Sequence, residues 1–146
     1  MKGIVLILSI FLCNSAWAAI DWNDKQIEWH NYADGHEKMK RENKNALLIV
    51  YAEWCGVCKK YSQMFKDSEV VRESKNVVLI RIDQDKYKRD ANRFKSDGKY
   101  VPRTFMLSSN GRILPSPYKS SKYMFYLPPN NTKYLVKLLK YLGSMR

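Results

Sequence analysis

Cys55 and Cys58 are separated by two residues, a spacing at which two sulfurs can join and separate within a single turn of chain. The chemistry open to them is thiol–disulfide exchange, in which a thiolate attacks a disulfide sulfur through a mixed-disulfide intermediate. As a structural staple the pair is weak, because closing so short a loop stabilises a fold by only about 2 kcal/mol before strain. The spacing suits switching better than holding. Paired thiolates also suit a soft ion such as copper(I), which keeps metal carriage open as a second chemistry.

A reacting thiolate needs surroundings that favour negative charge, and the flanking residues predict such a place. Ala46 to Ala52 is a continuous apolar run of strand length, the pattern of a strand buried on both faces at the centre of a largely parallel sheet. Glu53, Trp54 and the cysteine pair follow directly. Tyr61, Met64 and Phe65 then fall at helical spacing from Cys58, with Lys59, Lys60 and Lys66 on other faces. The pair is therefore expected at the carboxyl end of a strand and the start of a helix, where unpaired N–H groups and the helix dipole favour a thiolate. Cys55, nearer the helix start and solvent, is expected to attack, and Cys58, one turn on, to resolve the mixed disulfide. Gly56 permits a tight approach, and Trp54 is placed to cover one side of the sulfur.

The remaining elements frame this site. Ile20 to Tyr32 reads as an irregular, aromatic lead-in containing Trp22 and Trp29, and Asp34-Gly35 as a turn before an exposed helix over His36 to Asn45. Val77 to Ile82 reads as a second strand and Asp83 to Lys95 as a polar helix, so strand, helix and strand form a parallel crossover unit. Gly98 to Arg103 is a connection containing Val101-Pro102. Thr104 to Leu107 and Arg112 to Leu114 are the arms of a hairpin turned by Asn110-Gly111. Pro115 to Pro129 reads as a long loop. Asn131-Thr132 opens a last amphipathic helix with Tyr134, Leu135, Leu138, Leu139 and Leu142 on its apolar face.

With 146 residues the chain suits one domain. Residues 1–18 read as a cleaved signal peptide: Lys2, the apolar run Ile4 to Leu12, then Ala16-Trp17-Ala18. The apolar run is about half of what a helix needs to span a bilayer, so stable membrane insertion is not expected. Lipidation at Cys13 is disfavoured, since Leu12 is not a small residue. The leader carries Cys13 away, leaving Cys55 and Cys58 as the pair in residues 19–146, in an oxidising compartment such as the periplasm or the extracellular space. The ending Gly143-Ser144-Met145-Arg146 is not a retrieval signal of the endoplasmic reticulum, which makes its lumen a weaker expectation. There are 26 Lys and Arg against 14 Asp and Glu, a net charge of +12. Such an excess favours acidic partners or anionic surfaces. Export argues against nucleic acid, and the scattered cations read mainly as a solvated basic surface.

Trp54-Cys55-Gly56-Val57-Cys58-Lys59 after an apolar strand resembles the active site of the thioredoxin superfamily, and Val101-Pro102 resembles its second signature, a cis-proline facing the cysteines. The stretch from Tyr51-Ala52-Glu53 through Asp67-Ser68-Glu69-Val70 to Arg81-Ile82-Asp83 is similar to the periplasmic C-terminal domain of the DsbD reductants. Asp97 to Arg103 and Lys122 to Tyr126 look more like the small reticulum thioredoxins of the anterior-gradient group. Together these cover most of residues 21–142. The resemblance implies a thioredoxin-like α/β fold, a central mixed sheet flanked by helices in a single domain. It further implies Cys55 as nucleophile, Cys58 as resolving thiol, a cis bond before Pro102, and backbone pairing of an extended substrate segment at Val101. The chain departs from the pattern at Ile49, where thioredoxins carry a buried acid, so no proton acceptor for Cys58 is identified. Glu53 is a possible substitute, although its place before the motif suggests exposure. Val57, neither Pro nor His, suggests an intermediate redox poise.

Competing chemistries find fewer supports. A zinc site needs about four ligands, and His30 and His36 read as surface or lead-in histidines. Covalent haem requires His directly after the second cysteine, where Lys59 stands. A copper(I) metallochaperone and a non-catalytic module gripping clients through the basic, aromatic Tyr118–Tyr126 segment remain as alternatives. The expectation is a monomeric exported thiol–disulfide oxidoreductase that needs no cofactor and no metal. Its partners would be protein thiols and disulfides together with a redox partner protein.

Overall fold

The computed structural model describes residues 18–117 and 123–145. The expected leader, save its last residue, lies outside the described residues, as do 118–122 of the long loop. Five strands form one mixed sheet in the order β1-β3-β2-β4-β5. At its centre lies β2 (Ala46–Tyr51), with all six residues buried, as its unbroken apolar run requires. β3 (Val78–Asp83) runs parallel beside it, Ala46 opposite Val78 and Tyr51 opposite Asp83. The two-residue β1 (Trp29–His30) adds a parallel outer strand within the lead-in. On the other side β4 (Arg103–Leu107) pairs antiparallel with β2, and β5 (Ile113–Leu114) with β4. The sheet is thus mixed rather than largely parallel. Asn110-Gly111 turns the hairpin as expected, with Gly111 at φ 85°, a backbone region that favours glycine.

Side chains alternate along β2 and divide the interior into two cores. Leu47, Ile49 and Tyr51 face one core together with both cysteines. Ala46, Leu48 and Val50 face the other. The cysteine-side core is closed by α2 (Gly56–Ser62) with a short 3-10 turn (Gln63–Lys66), α3 (Ser68–Ser74) and α5 (Thr132–Ser144). The last of these buries Leu135, Val136, Leu138, Leu139 and Leu142, and the Asn131 side chain caps it by accepting the Tyr134 N–H. α1 (Tyr32–Glu42) and α4 (Lys88–Asn92) cover the opposite face. No helix among the described residues is long and apolar enough to cross a membrane.

Three local expectations are corrected. Asp34-Gly35 is not a turn but lies inside the first turns of α1, which starts after the Asn31 cap and stops at Asn43 in the left-handed region. A Cβ on Gly35 would lie 2.4 Å from Ile80 Cγ1, so the residue is glycine because helix and sheet meet there without a side chain between them. The polar helix after β3 is confined to Lys88–Asn92, because Asp83 completes the strand and a turn precedes α4. α3, unanticipated, is seven residues capped by Asp67, whose carboxylate accepts the N–H groups of Glu69 and Val70.

Candidate active site

The polypeptide leaves β2 at Tyr51 and enters α2 through Cys55, which is the helix N-cap. Its backbone is extended, and its N–H donates to the Ala52 carbonyl at 3.1 Å. Cys55 and Cys58 are joined as a disulfide. The Cys58 N–H points at Cys55 Sγ from 3.0 Å, so the sulfur occupies the place that a Ser or Asp oxygen takes in an ordinary helix cap. Once the disulfide opens, that N–H favours the charged over the neutral form of Cys55. Both residues are buried, Cys55 at 4% exposure and Cys58 with none.

Facing the disulfide is the segment entering β4. The Val101–Pro102 peptide is cis, and the Val101 carbonyl oxygen lies 3.8 Å from Cys55 Sγ. Pro102 is buried, and Val101 packs against both cores. Sequence positions 46 apart thereby meet at one sulfur. Trp54 is 57% exposed, and its indole N–H donates to the Asp85 carboxylate at 2.8 Å, a partner no sequence pattern suggests. A Cβ on Gly56 would meet nothing within 4 Å, so this glycine leaves open space beside the sulfurs rather than relieving a packed contact.

Glu53 differs from expectation: it is half-buried and engaged. It accepts the Ile20 N–H at 2.8 Å and the Tyr51 hydroxyl at 3.2 Å, which ties the lead-in to the residue two before Cys55. Ile49, where an acid was looked for, is fully buried and apolar. Opposite it on β4 stands Thr104, whose hydroxyl shares a 2.7 Å hydrogen bond with that of Tyr61, one turn beyond Cys58. Burial pushes the phenol of Tyr61 well above its ordinary range, as it does that of Tyr51. The interior under the disulfide is therefore a neutral one, with a closed pair of hydroxyls. Only the register of Ile49 with Thr104 brings that pair together, which is why spacing along the chain does not reveal it.

A family profile described as thioredoxin-like matches residues 28–109, more than half of the chain and the whole span from β1 to the hairpin turn. The chain belongs to the thioredoxin-like family. Its fold agrees: it superposes on a thioredoxin from Thermus thermophilus with a TM-score of 0.61 at 14% identity, covering 82% of this chain and 88% of that one. Among sequence relatives, the thioredoxin of Mycoplasmoides gallisepticum is 26% identical over 103 residues, 69% of this chain and 90% of the relative. Protein disulfide-isomerase of Gallus gallus is 31% identical over 64 residues, 43% of this chain but only 12% of that protein. This thioredoxin-like chain thus shares its fold with a solved thioredoxin and a stretch of sequence with a much longer protein.

Proposed function

We propose that the chain is an exported thiol–disulfide oxidoreductase that exchanges its Cys55–Cys58 pair with protein substrates. The observation that carries this is the Cys58 N–H held 3.0 Å from Cys55 Sγ at a helix cap, beside the Val101 carbonyl. In the reducing direction the Cys55 thiolate attacks one sulfur of a substrate disulfide. A mixed disulfide forms and the other substrate sulfur leaves as a thiolate. Cys58 then gives up its proton and attacks Cys55 Sγ, closing the internal disulfide and releasing the second substrate thiol. Two electrons pass to the substrate; one leaving thiolate takes the proton given up by Cys58 and the other takes one from solvent, and the oxidising direction is the same sequence reversed. The sulfurs carry the electrons, so the step calls for no cofactor.

Substrate contact is assigned to Trp54, Gly56, Val101 and Pro102, which surround Cys55. An extended substrate segment would pair with the backbone at Val101. Export is supported by Lys2, the apolar run to Leu12 and Ala16-Trp17-Ala18, and it matches a chemistry suited to an oxidising compartment, the periplasm or beyond. The protein is expected to act as a monomer with a separate redox partner.

The decisive experiment uses Cys58→Ala in the native compartment. Substrates should accumulate as mixed disulfides on Cys55, visible as adducts that collapse on reduction and vanish in Cys55→Ser/Cys58→Ala. Absence of any adduct would refute the exchange reading. The reduction potential of the wild-type couple, measured against glutathione, then assigns the direction of flow.

A further inference from the structure

Where α4 meets the start of β4 the surface opens into a cavity of about 290 Å³ whose walls include Lys88, Lys95, Lys99 and Arg103, with Asp85 the one acid among them. None of the three lysines takes part in an ion pair among the described residues, whereas their neighbours Lys86 and Arg93 pair with Asp83 and Asp90. Arg103 is only 1% exposed, an unusual place for a guanidinium. One of its terminal nitrogens donates to the Gly98 carbonyl and its charge lies over the Tyr100 ring, yet its Nε finds no hydrogen-bond partner among the described residues. Asp97 lies close enough to lend it electrostatic support; its Oδ2 accepts from the Tyr100 hydroxyl and the Met124 N–H, while its Oδ1 is buried without a hydrogen-bond partner among the described residues. A buried donor left unmatched in a wall of unpaired cations is complementary to an anion.

The cavity is linked to the redox site by one hydrogen bond and by the strand that enters beside it. Asp85 holds the Trp54 indole, and Arg103 follows Pro102, next to the carbonyl that faces Cys55. We propose that this cavity receives carboxylate side chains of the protein substrate, from an acidic stretch flanking the cysteine that reacts with Cys55. The inference rests on the exchange reading above and supplies its substrate class. It also gives part of the basic surface a local task in place of general solvation.

The test uses peptides closed by an internal disulfide, carrying either two Glu or two Gln about two to six residues from the reacting cysteine, a span an extended chain bridges at about 3.3 Å per residue. The reduced wild-type protein should reduce the Glu peptides about tenfold faster than their Gln twins, within the range that electrostatic steering gives. In Lys88→Gln/Lys95→Gln/Lys99→Gln that ratio should fall towards one. In Lys40→Gln/Lys133→Gln/Lys137→Gln, which removes as much charge elsewhere, it should persist. Equal rates for the two peptides, or equal loss of the ratio in both variants, would overturn the proposal while leaving the exchange reading intact. Failure to reduce any peptide would count against exchange itself. A redox-independent arm therefore measures binding of labelled peptides with Ser in place of Cys by anisotropy. There the Glu form should bind several-fold more tightly, and a Gln form binding equally well would overturn the proposal. Glutathione disulfide, a small carboxylate source, should show no dependence on the three lysines; dependence confined to it would refute a protein substrate.

Discussion

On the cysteine side of the sheet the aromatic rings converge on one residue: Trp22 touches Trp29, Tyr51, Tyr61 and Phe65, with centroids 5.1 to 6.3 Å away. On the other side the rings form a line, Tyr32 to Phe94 to Phe105 to Phe125, in which each inner ring has two neighbours. A hub and a line distribute load differently. Removing a hub ring loosens every element it joins, here the lead-in, β2 and the helix that begins at the sulfurs. The line spreads its contacts, and its face is drawn tight elsewhere, by the approach of α1 to the sheet at Gly35. The redox pair therefore sits over the face whose aromatic rings gather around Trp22, with Phe65 joining three of them.

Trp22→Ala provides the hardest test of that contrast. Truncating a buried Trp costs about 3–5 kcal/mol, and here the loss should also slow disulfide exchange by the folded protein. Denaturant titration alongside a disulfide-reduction assay measures both. An exchange rate unaffected per folded molecule would mean the hub does not support the sulfurs. Gly35→Val probes the opposite face. Overpacking against Ile80 should destabilise by about 1–3 kcal/mol without altering exchange, because the strain falls on the face away from the cysteines. Equal loss of exchange in both variants would erase the distinction.

The smallest effect is expected from Tyr61→Phe, which keeps the ring against Trp22 and removes only the hydroxyl that bonds Thr104. The loss should be about 0.5–1.5 kcal/mol near neutral pH. The folded phenol ionises only well above the ordinary tyrosine range, so its contribution is complete below about pH 10 and declines as pH rises beyond that. The stability gap between wild type and Tyr61→Phe should accordingly narrow in alkali, as read by denaturation at neutral pH and above pH 10.

The site was legible in the sequence where chemistry and local pattern coincide. Cys55 and Cys58 after the run Ala46 to Ala52 placed a helix start at a strand end, Asn110-Gly111 predicted the hairpin, and the leucine spacing after Asn131 predicted α5. What escaped depends on contacts between distant segments. Gly35 looks like a turn residue locally, because its reason for being glycine is Ile80 in a strand formed far along the chain. α3 is too short for periodicity to show and rests on its Asp67 cap. Glu53 appeared exposed because its partner Ile20 belongs to a lead-in without regular pattern. Arg103 read as one more cation in a basic chain, yet strand pairing opposite Val50 carries it into the interior.

At the end of the sheet remote from the sulfurs, the Asn45 amide donates to the carbonyls of Leu142 and Met145 and accepts the Ser109 N–H. These partners belong to the terminal helix region and the hairpin, which meet at Asn45 only when both have docked against the start of β2. The side chain thus works as a checksum on topology. A partly assembled chain leaves it unmatched, and any arrangement that docks the last helix elsewhere carries the cost of stranding a buried amide.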